Sequence, residues 1–492
     1  MERNGEKGAQ NAVFTYKFLL DNRIIRSVLC GLSEFCIKDG ADRLQIALEM
    51  FVGLRKEACA SCRLASLIIK PFLAAASRSF GSNTKQLKER LRDPYWRRGL
   101  ISVIKGIGWF GLAKPHVPGA PFQIVWNVTR ACNLKCKHCY ANAGTFDKDE
   151  LSTKEALTVI DILADAGVLI IAFSGGEPTI RPDILQLISH SNDCGIYVAM
   201  ATNAVLFSSR RRVKDFKENG LQFIQISLDG ANPQTHDSFR GVKGSFDKTI
   251  EGIKNCVAEG LFVEVATTIT RYNYQEVPSI INLTEKLGAN WFMTFNFVPT
   301  GRGKEMVEAD LEPHEREELL KMLWQQMKTR KINVLSTAPQ FARIAQQCEL
   351  ESNETVVPTH FYNPTLAGNL KKLADFIGGC GAGRFYLAME PNGDLYPCVF
   401  FPRDEQVKLG NILKIDFEDV WRNSDLLWKL RNKDILKEKC GKCTYRYTCG
   451  GCRARAYNYF GDALAPDPGC INNTKYWTEL RSRIEELEVK YP

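Results

Sequence analysis

Phe122-Gln123-Ile124-Val125-Trp126-Asn127-Val128, followed at once by Thr129-Arg130-Ala131-Cys132-Asn133-Leu134-Lys135-Cys136-Lys137-His138-Cys139-Tyr140, decides the reading of this 492-residue chain. The first part is an apolar run and predicts a strand; the second is a polar loop with cysteines spaced C-x3-C-x2-C. The same rhythm continues downstream. Strands are predicted over Phe122–Val128, Val168–Phe173, Ile196–Ala201, Phe223–Leu228, Val263–Thr270 and Trp291–Val298. Helical stretches lie between them at Thr153–Ala166, Asp183–His190, Arg211–Asn219, Asp247–Gly260 and Gln275–Leu287. Short buried strands alternating with helices argue for an α/β fold of parallel βαβ units. Six of them fit a partial (βα)6 TIM-like barrel, with reactive groups in the loops after the strands. A doubly wound open sheet shares this rhythm, so the motifs must decide.

Three thiolates on one tight loop are preferred ligands for iron–sulfur clusters, and a four-iron cube held at three corners leaves one iron open. The competing readings are buried thiols or a zinc site, although closed structural zinc wants four ligands. One strand later comes Ser174-Gly175-Gly176-Glu177-Pro178, then Ala201-Thr202-Asn203. Ile226-Ser227-Leu228-Asp229-Gly230 follows, with His236, Asp237, Arg240 and Gly241 behind it, and then Phe297-Val298-Pro299-Thr300-Gly301-Arg302-Gly303. On these motifs, residues 120–300 resemble the radical S-adenosylmethionine (radical SAM) superfamily. The resemblance implies that Cys132, Cys136 and Cys139 hold a catalytic [4Fe-4S] cluster whose open iron chelates S-adenosylmethionine. Reductive cleavage then yields a 5′-deoxyadenosyl radical that takes hydrogen from a substrate. It also implies cofactor contacts at Tyr140, Gly175, Gly176, Glu177, Asn203, Ser227, Arg240 and Val298. Gly175–Glu177 would take the methionine ammonium, Ser227 and Arg240 the ribose and carboxylate regions, and the Val298 backbone the adenine. Asp229 reads equally as a turn or cap residue, and Arg302 as a solvated loop arginine.

After 376 the chain turns rich in Gly and Cys, with little apolar periodicity, so metal is the obvious source of order. Cys380 stands alone, Gly393 to Cys398 gives G-x4-C, and Cys440, Cys443, Cys449 and Cys452 give C-x2-C-x5-C-x2-C, closed by Cys470. Zinc would also suit two spaced pairs. The arrangement resembles the SPASM extension of radical SAM enzymes. That resemblance implies one auxiliary [4Fe-4S] cluster on Cys440, Cys443, Cys449 and Cys470, and a second on Cys380, Cys398 and Cys452. Cys449-Gly450-Gly451-Cys452 is one residue shorter than the usual spacing, and with seven thiolates either one auxiliary iron has a non-cysteine ligand or stays open, or only one cluster forms.

Residues 1–115 carry 20 Lys and Arg against 10 Asp and Glu, while the rest is close to neutral. This basic extension reads as helices at Val13–Leu20, Arg23–Ile37, Arg43–Leu54 and Leu64–Ala75, with Cys30, Cys36, Cys59 and Cys62 either as buried helical thiols or as a third metal site. Residues 84–115 mix Lys85, Lys88, Arg90, Arg92, Arg97, Arg98 and Lys105 with Trp96, Ile101, Ile104, Ile107, Trp109 and Phe110. Such a segment is either a peripheral membrane contact or a helix packed on the barrel. The domains expected are therefore a basic helical extension (1–115), a radical SAM core (116–310), a bridging helix and loop (311–375), a SPASM domain (376–475) and a C-terminal helix (476–492).

A charged fraction of 25% with 45% hydrophobic residues excludes a disordered chain. The polar start and the lack of a long uncharged apolar run predict a cytoplasmic protein with reduced thiols, possible contact with the inner membrane face aside. The strand-one wording and the Cys443–Ala456 stretch look most like maturases of haem d1, of the alternative haem pathway and of tungsten cofactors, and next like peptide-modifying SPASM enzymes. An oxygen-sensitive oxidoreductase acting on a tetrapyrrole or peptide is thus expected, fed by a low-potential ferredoxin or flavodoxin and with no nucleic-acid partner. The alternatives are a radical SAM enzyme acting on a membrane lipid and a non-enzymatic iron–sulfur electron-transfer module. Cys194, Cys256 and Cys348 read as core thiols.

Overall fold

The alternation of apolar runs and helical stretches becomes a ten-stranded sheet in the computed structural model, which describes residues 22–79, 83–352 and 374–490. Six strands are the expected ones: β1 (Gln123–Asn127), β2 (Ile170–Ser174), β3 (Tyr197–Thr202), β4 (Phe223–Ser227), β5 (Phe262–Ile269) and β6 (Trp291–Asn296). Each pairs in parallel with the next, in sequence order. Parallel neighbours need a crossover, and the helices Thr153–Asp165, Ile184–Asp193, Arg210–Glu218, Ser245–Ala258 and Val277–Lys286 supply it. Along each strand the side chains alternate. Ile124, Trp126, Ile171, Phe173, Val198, Met200, Ile224, Ile226, Val263, Val265 and Phe292 join one buried core with the helices. Val125, Ala172, Ala199, Gln225 and Glu264 therefore point to the opposite, inner face.

The sheet extends past both ends of the expected set. β7 (Asn333–Ser336) adds to β6 in parallel, so the segment expected only to bridge, 311–375, contributes a strand between the helices Pro313–Thr329 and Gln340–Ser352. β8 (Tyr386–Met389), from the cysteine-rich region, adds to β1 in parallel. β9 (Asp394–Tyr396) and β10 (Gly410–Asn411) continue antiparallel. These strands have four residues or fewer, too short for a period to show in sequence. The helix Thr474–Lys490 ends the described chain.

In the extension, helices span Arg23–Leu32, Arg43–Val52, Ala60–Ser79, Thr84–Leu91 and Pro94–Phe110. The helix expected over Arg23–Ile37 stops at Leu32, where the Ser33 hydroxyl turns back onto the Leu29 carbonyl. Phe35–Cys36 then pairs with Ala41–Asp42 as a two-residue hairpin. The helix expected at Val13–Leu20 lies outside the described residues, as does most of the loop expected over 350–375.

Of the two readings of 84–115, the packing supports a helix laid on the protein. Ile104 is buried in the extension's own core with Ile101 and Ile107 beside it, and Trp109 and Phe110 pack on the main core. Lys105 pairs with Glu418, 2.7 Å. The helix Pro94–Phe110 thus gives its apolar face to the protein. Its Tyr95 ring meets Tyr197, at the start of β3, at a tilt of 52°, and Phe223, Phe262 and Trp291 pack together at the starts of β4, β5 and β6, on the barrel floor. Among the described residues no helix is long and apolar enough to cross a membrane.

Candidate active site

The three-cysteine loop leaves the C-terminal end of β1 and is folded back by its own backbone: Cys132 N–H donates to Gly144 O (2.9 Å), and Gly144 N–H to Arg130 O (2.8 Å). Neighbouring loops hold it from two further sides. Lys135 and Lys137 N–H donate to the carbonyls of Arg240 and Phe239 (3.1 Å each). Arg302, which sequence allowed as a solvated side chain, clasps the loop: its Nε donates to Cys136 O (3.0 Å), its Nη1 to Ala143 O (2.6 Å) and its N–H to Cys139 O (3.0 Å). Gly301 makes this approach feasible. Its φ is +58°, and a Cβ there would sit 2.4 Å from Cys139 O.

The Gly175-Gly176-Glu177 turn, ending β2, lies against the root of the same loop. Gly176 N–H donates to Thr129 O (2.7 Å) and Glu177 N–H to Ala131 O (2.8 Å). A Cβ on Gly176 would stand 2.1 Å from Ala131 O, so no side chain fits. Glu177 is fully buried. Its Oε1 accepts from Thr179 Oγ1 (2.6 Å), Thr179 N–H (3.1 Å) and Thr202 Oγ1 (2.7 Å), and its Oε2 from Asn203 N–H (2.8 Å). Asn203 in turn donates to Asn133 of the cysteine loop (2.8 Å). The ends of β1, β2 and β3 are therefore tied together through Glu177 and Asn203.

Arg240 does not face an open groove. Its Nη2 pairs with Asp229 Oδ2 at 2.6 Å and its Nη1 donates to Cys136 Sγ at 3.7 Å. Asp229 Oδ1 accepts Thr268 N–H (2.8 Å), and its Oδ2 lies 3.4 Å from His138 Nε2. Burial pushes the Asp229 carboxyl up while Arg240 beside it pulls it down. Burial would lower the Arg240 guanidinium, but Asp229 and Cys136 outweigh it and keep it charged. Burial, then Arg240, holds His138 well below its usual range, so the ring is neutral; it stacks on Phe239 at 4.4 Å. Asp229, His138 and Arg302 were not identifiable as one unit in sequence, because their partners lie on different strands.

Ser227 ends β4 half-buried on the inner face, and Val298, buried past β6, accepts Thr300 N–H (2.8 Å). Tyr140 sits between the ends of β1 and β2. Its hydroxyl donates to Asn127 Oδ1 (3.2 Å) and shares a 2.9 Å hydrogen bond with Ser174, and its ring meets Phe400 edge-on at 5.6 Å.

The donor set suits a multiply charged cluster. Burial pushes the Cys132 thiol up to about 12 and raises Cys136 as well. Such thiols give up their protons only to a bound cation. N–H groups already aim at the sulfurs: Leu134 at Cys132 and Ala143 at Cys139, both 3.4 Å.

The cysteine-rich region sorts into two groups. Cys440, Cys443, Cys449 and Cys470 line one cavity of about 350 Å³, open mouth included, with Arg343 and Asn473 in its wall. Asn473 Nδ2 donates to Cys440 Sγ (3.6 Å) and Gly451 N–H to Cys449 Sγ (3.4 Å). Cys380, Cys398 and Cys452 share a second buried cluster with Tyr386, whose hydroxyl lies 3.5 Å from Cys398 Sγ. The short Cys449–Cys452 spacing is made by Gly450 and Gly451, both left-handed at φ +63° and +66°. Arg343, Arg384, Arg453 and Arg455 are fully buried around these thiols. Arg455 is ion-paired with Asp310 (4.0 Å) and Asp467 (3.9 Å), and Arg343 with Glu317, while burial brings Lys433 down to about 7. Arg453 Nη2 lies 4.0 Å from Cys440 Sγ, a cation placed to suit an anionic cluster.

Comparison with known proteins agrees in chain order. The family model described as the radical SAM superfamily matches residues 126–284, and SPASM, described as an iron–sulfur cluster-binding domain, matches residues 380–444. The AdoMet-dependent heme synthase of Methanosarcina barkeri is 37% identical over 355 residues, which cover 72% of this chain and 97% of that protein. Mycofactocin maturase MftC of Mycobacterium tuberculosis is 32% identical over 360 residues, 72% and 83% of the two chains. In fold, the chain is similar to Streptococcus suis SuiB bound to its precursor peptide SuiA, with a TM-score of 0.60 at 17% identity over 87% of this chain and 92% of that one. A purely electron-carrying module would need neither the barrel nor these enzyme relatives. The chain belongs to the radical SAM superfamily, as a SPASM-bearing enzyme whose cofactors are a [4Fe-4S] cluster, S-adenosylmethionine and auxiliary iron–sulfur clusters.

Proposed function

We propose that this enzyme removes a hydrogen atom from a tetrapyrrole side chain in a cofactor-maturation step, with Cys132, Cys136 and Cys139 holding the catalytic cluster. When bound, the cluster and S-adenosylmethionine supply the carbon radical that takes the hydrogen. The observation that carries the reading is the seam between the Gly175–Glu177 turn and the root of the cysteine loop, where Gly176 and Glu177 N–H groups meet the Thr129 and Ala131 carbonyls. It supports an ammonium pocket beside the three thiolates, formed by the glycine backbone with the Glu177 charge beneath it.

In this assignment Glu177 acts through position, locking Thr202 and Asn203, while Ser227 offers its hydroxyl to the ribose and the Val298 backbone supports the adenine. Arg240 holds positive charge against Cys136 and is itself fixed by Asp229. Tyr140 walls the site toward the SPASM side. Cys440, Cys443, Cys449 and Cys470 hold one auxiliary cluster, and Cys380, Cys398 and Cys452 anchor a second. The domain limits at 115, 310, 375 and 475 serve as working boundaries, with β7 and β8 crossing into the barrel sheet. A low-potential ferredoxin or flavodoxin supplies the electron, in an anaerobic cytoplasm. A membrane lipid is not favoured as substrate, since the aliphatic side chains of 94–110 are used internally.

The tetrapyrrole reading rests on the heme synthase, matched over nearly its full length. The second reading, a peptide substrate, is favoured by MftC and by the fold likeness to peptide-bound SuiB. Anaerobically reconstituted enzyme under dithionite tests both: an iron porphyrin with propionate side chains is expected to accelerate 5′-deoxyadenosine formation. Acceleration by a precursor peptide alone moves the assignment to the second reading, and no 5′-deoxyadenosine under any condition refutes both.

A further inference from the structure

Outside the active site and the cysteine-rich region, one group of side chains has the makeup of a metal centre. Cys36 and Asp39 come from the hairpin at 35–42, and Cys59 and Cys62 from the start of the helix Ala60–Ser79. Their ligand atoms all lie within 4.8 Å of one another, with Cys36 Sγ and Cys59 Sγ 3.6 Å apart and Cys36 Sγ 3.7 Å from Asp39 Oδ2. We propose that Cys36, Asp39, Cys59 and Cys62 bind one zinc ion, as a closed structural site that staples the N-terminal extension.

The spacing selects both the nuclearity and the metal class. Four ligands around one zinc at a Zn–S distance of about 2.3 Å stand about 3.8 Å apart along a tetrahedron's edges. A four-iron cube spreads its thiolates over its corners and needs wider separations than these. Two chelating turns, C-x2-D and C-x2-C, form the two halves that structural zinc sites use, with a carboxylate as fourth ligand. Each turn is already shaped. Gly40 N–H donates to Cys36 O (2.8 Å) with Gly40 at φ +72°, and Arg63 N–H donates to Cys59 O (3.0 Å) at the helix start. Cys59 N–H donates to both Asp39 oxygens (3.2 and 3.1 Å), fixing the carboxylate toward the thiols, and Ser61 Oγ lies 3.0 Å from Cys59 Sγ.

The site has an evident mechanical use. A hairpin with two residues per strand has no independent stability. Cys36 and Cys62 are buried with Ile46 against the helix Arg43–Val52, and a shared ion would bind hairpin and helix Ala60–Ser79 as one body. Through the helix Pro94–Phe110 that body reaches the barrel floor.

Metal analysis of the full-length holoenzyme, purified anaerobically from zinc-supplemented cells, tests this independently of catalysis. About one zinc per chain is expected, in addition to the cluster iron. In Cys59→Ser/Cys62→Ser zinc should fall about tenfold or more with iron and sulfide per chain unchanged. A Cys132→Ala/Cys136→Ala/Cys139→Ala chain should keep its zinc. Should the double variant fail to fold, Asp39→Cys decides: it should retain the metal, and its cobalt(II) form should show thiolate-to-cobalt absorption greater than wild type, four sulfurs against three. Zinc absent from wild type, zinc unchanged in the double variant, iron at this site, a Cys36–Cys59 disulfide in the anaerobic protein, or equal cobalt absorption in Asp39→Cys would each overturn the proposal.

Discussion

Asp229→Asn is the sharpest perturbation of the site, because it removes one charge and little volume. Asp229 is fully buried and Arg240 is 8% exposed, so the pair at 2.6 Å has almost no water to screen it. At an effective dielectric of about 20, opposite unit charges at that distance attract by about 6 kcal/mol. Desolvation offsets part of this, and breaking such a pair from one side typically costs about 3–5 kcal/mol because a charge is left buried and unpaired. Asn can still accept Thr268 N–H through its carbonyl oxygen, so the strand contact survives and the loss isolates the ion pair. The unpaired guanidinium then has only Cys136 to turn to, which pulls on the cysteine loop. The assay is a double-mutant cycle with Arg240→Met, reading thermal unfolding of the holoenzyme, iron per chain and 5′-deoxyadenosine formation. Asp229→Asn should unfold several degrees lower and lose most of its cofactor cleavage. The double variant should regain most of the stability, since removing both charges is close to neutral, without regaining activity. A single variant as stable and active as wild type, or a double variant no more stable than the single, refutes the reasoning.

Gly176→Ala should abolish S-adenosylmethionine binding while auxiliary iron stays, because its Cβ would meet backbone at 2.1 Å; equilibrium binding to the reconstituted protein checks it. Cys132→Ala should stop 5′-deoxyadenosine formation entirely, and formation at the wild-type rate would defeat the cluster assignment. Glu264, on the inner face of β5 and hydrogen-bonded by Gln225 Nε2 (2.5 Å), is raised by burial from 4.5 to about 7. Its folded pKa exceeds its unfolded one, so its contribution is fully present below pH 4.5 and is lost as pH rises toward about 7. Glu264→Gln should therefore be more stable than wild type at pH 8 by up to about 3 kcal/mol and lose that advantage near pH 4.5, as denaturation at both pH values will show.

The six barrel strands β1 to β6 were legible to within two residues because each is a run of apolar residues bounded by Gly, Asn or Pro, and local pattern is enough for that. The cysteine and glycine motifs were legible because ligand spacing is a local property too. What local pattern does not carry is the partner of each charged residue. Arg240 read as a cofactor contact, and sequence could not show that the fold pairs it with Asp229, which read equally as a turn or cap residue, and aims it at Cys136. Arg302 read as a solvated loop arginine because the three carbonyls it clasps, at Cys136, Cys139 and Ala143, lie more than 150 residues away in the chain. For 84–115 the sequence showed basic and apolar residues mixed and left a packed helix and a membrane contact both open, because it does not say what the apolar side chains meet.

The expected boundary at 375 misses how the two halves are joined. β8 runs hydrogen-bonded along β1 from Gln123 to Trp126, so the strand entering the cysteine-rich region and the strand leading to the catalytic loop form one ladder. Beyond the ladder, Glu390 lies buried between them. It accepts Asn127 Nδ2 (2.8 Å) and is ion-paired with Arg403 (2.7 Å) and Arg130 (3.3 Å), which also pairs with Asp147 of the loop after the cysteines. Leu151 N–H donates to Pro391 O (2.8 Å) alongside. A region hinged to the barrel by a linker would let the Cys398 thiol drift relative to Cys132. A shared sheet and a buried carboxylate with two guanidiniums do not, since sliding either strand would strip hydrogen bonds from buried backbone and leave Glu390 charged and alone. The separation between the proposed catalytic and auxiliary centres is thus a property of the sheet itself, and Tyr140 and Phe400, one from each region, close the seam between them in edge-on contact at 5.6 Å.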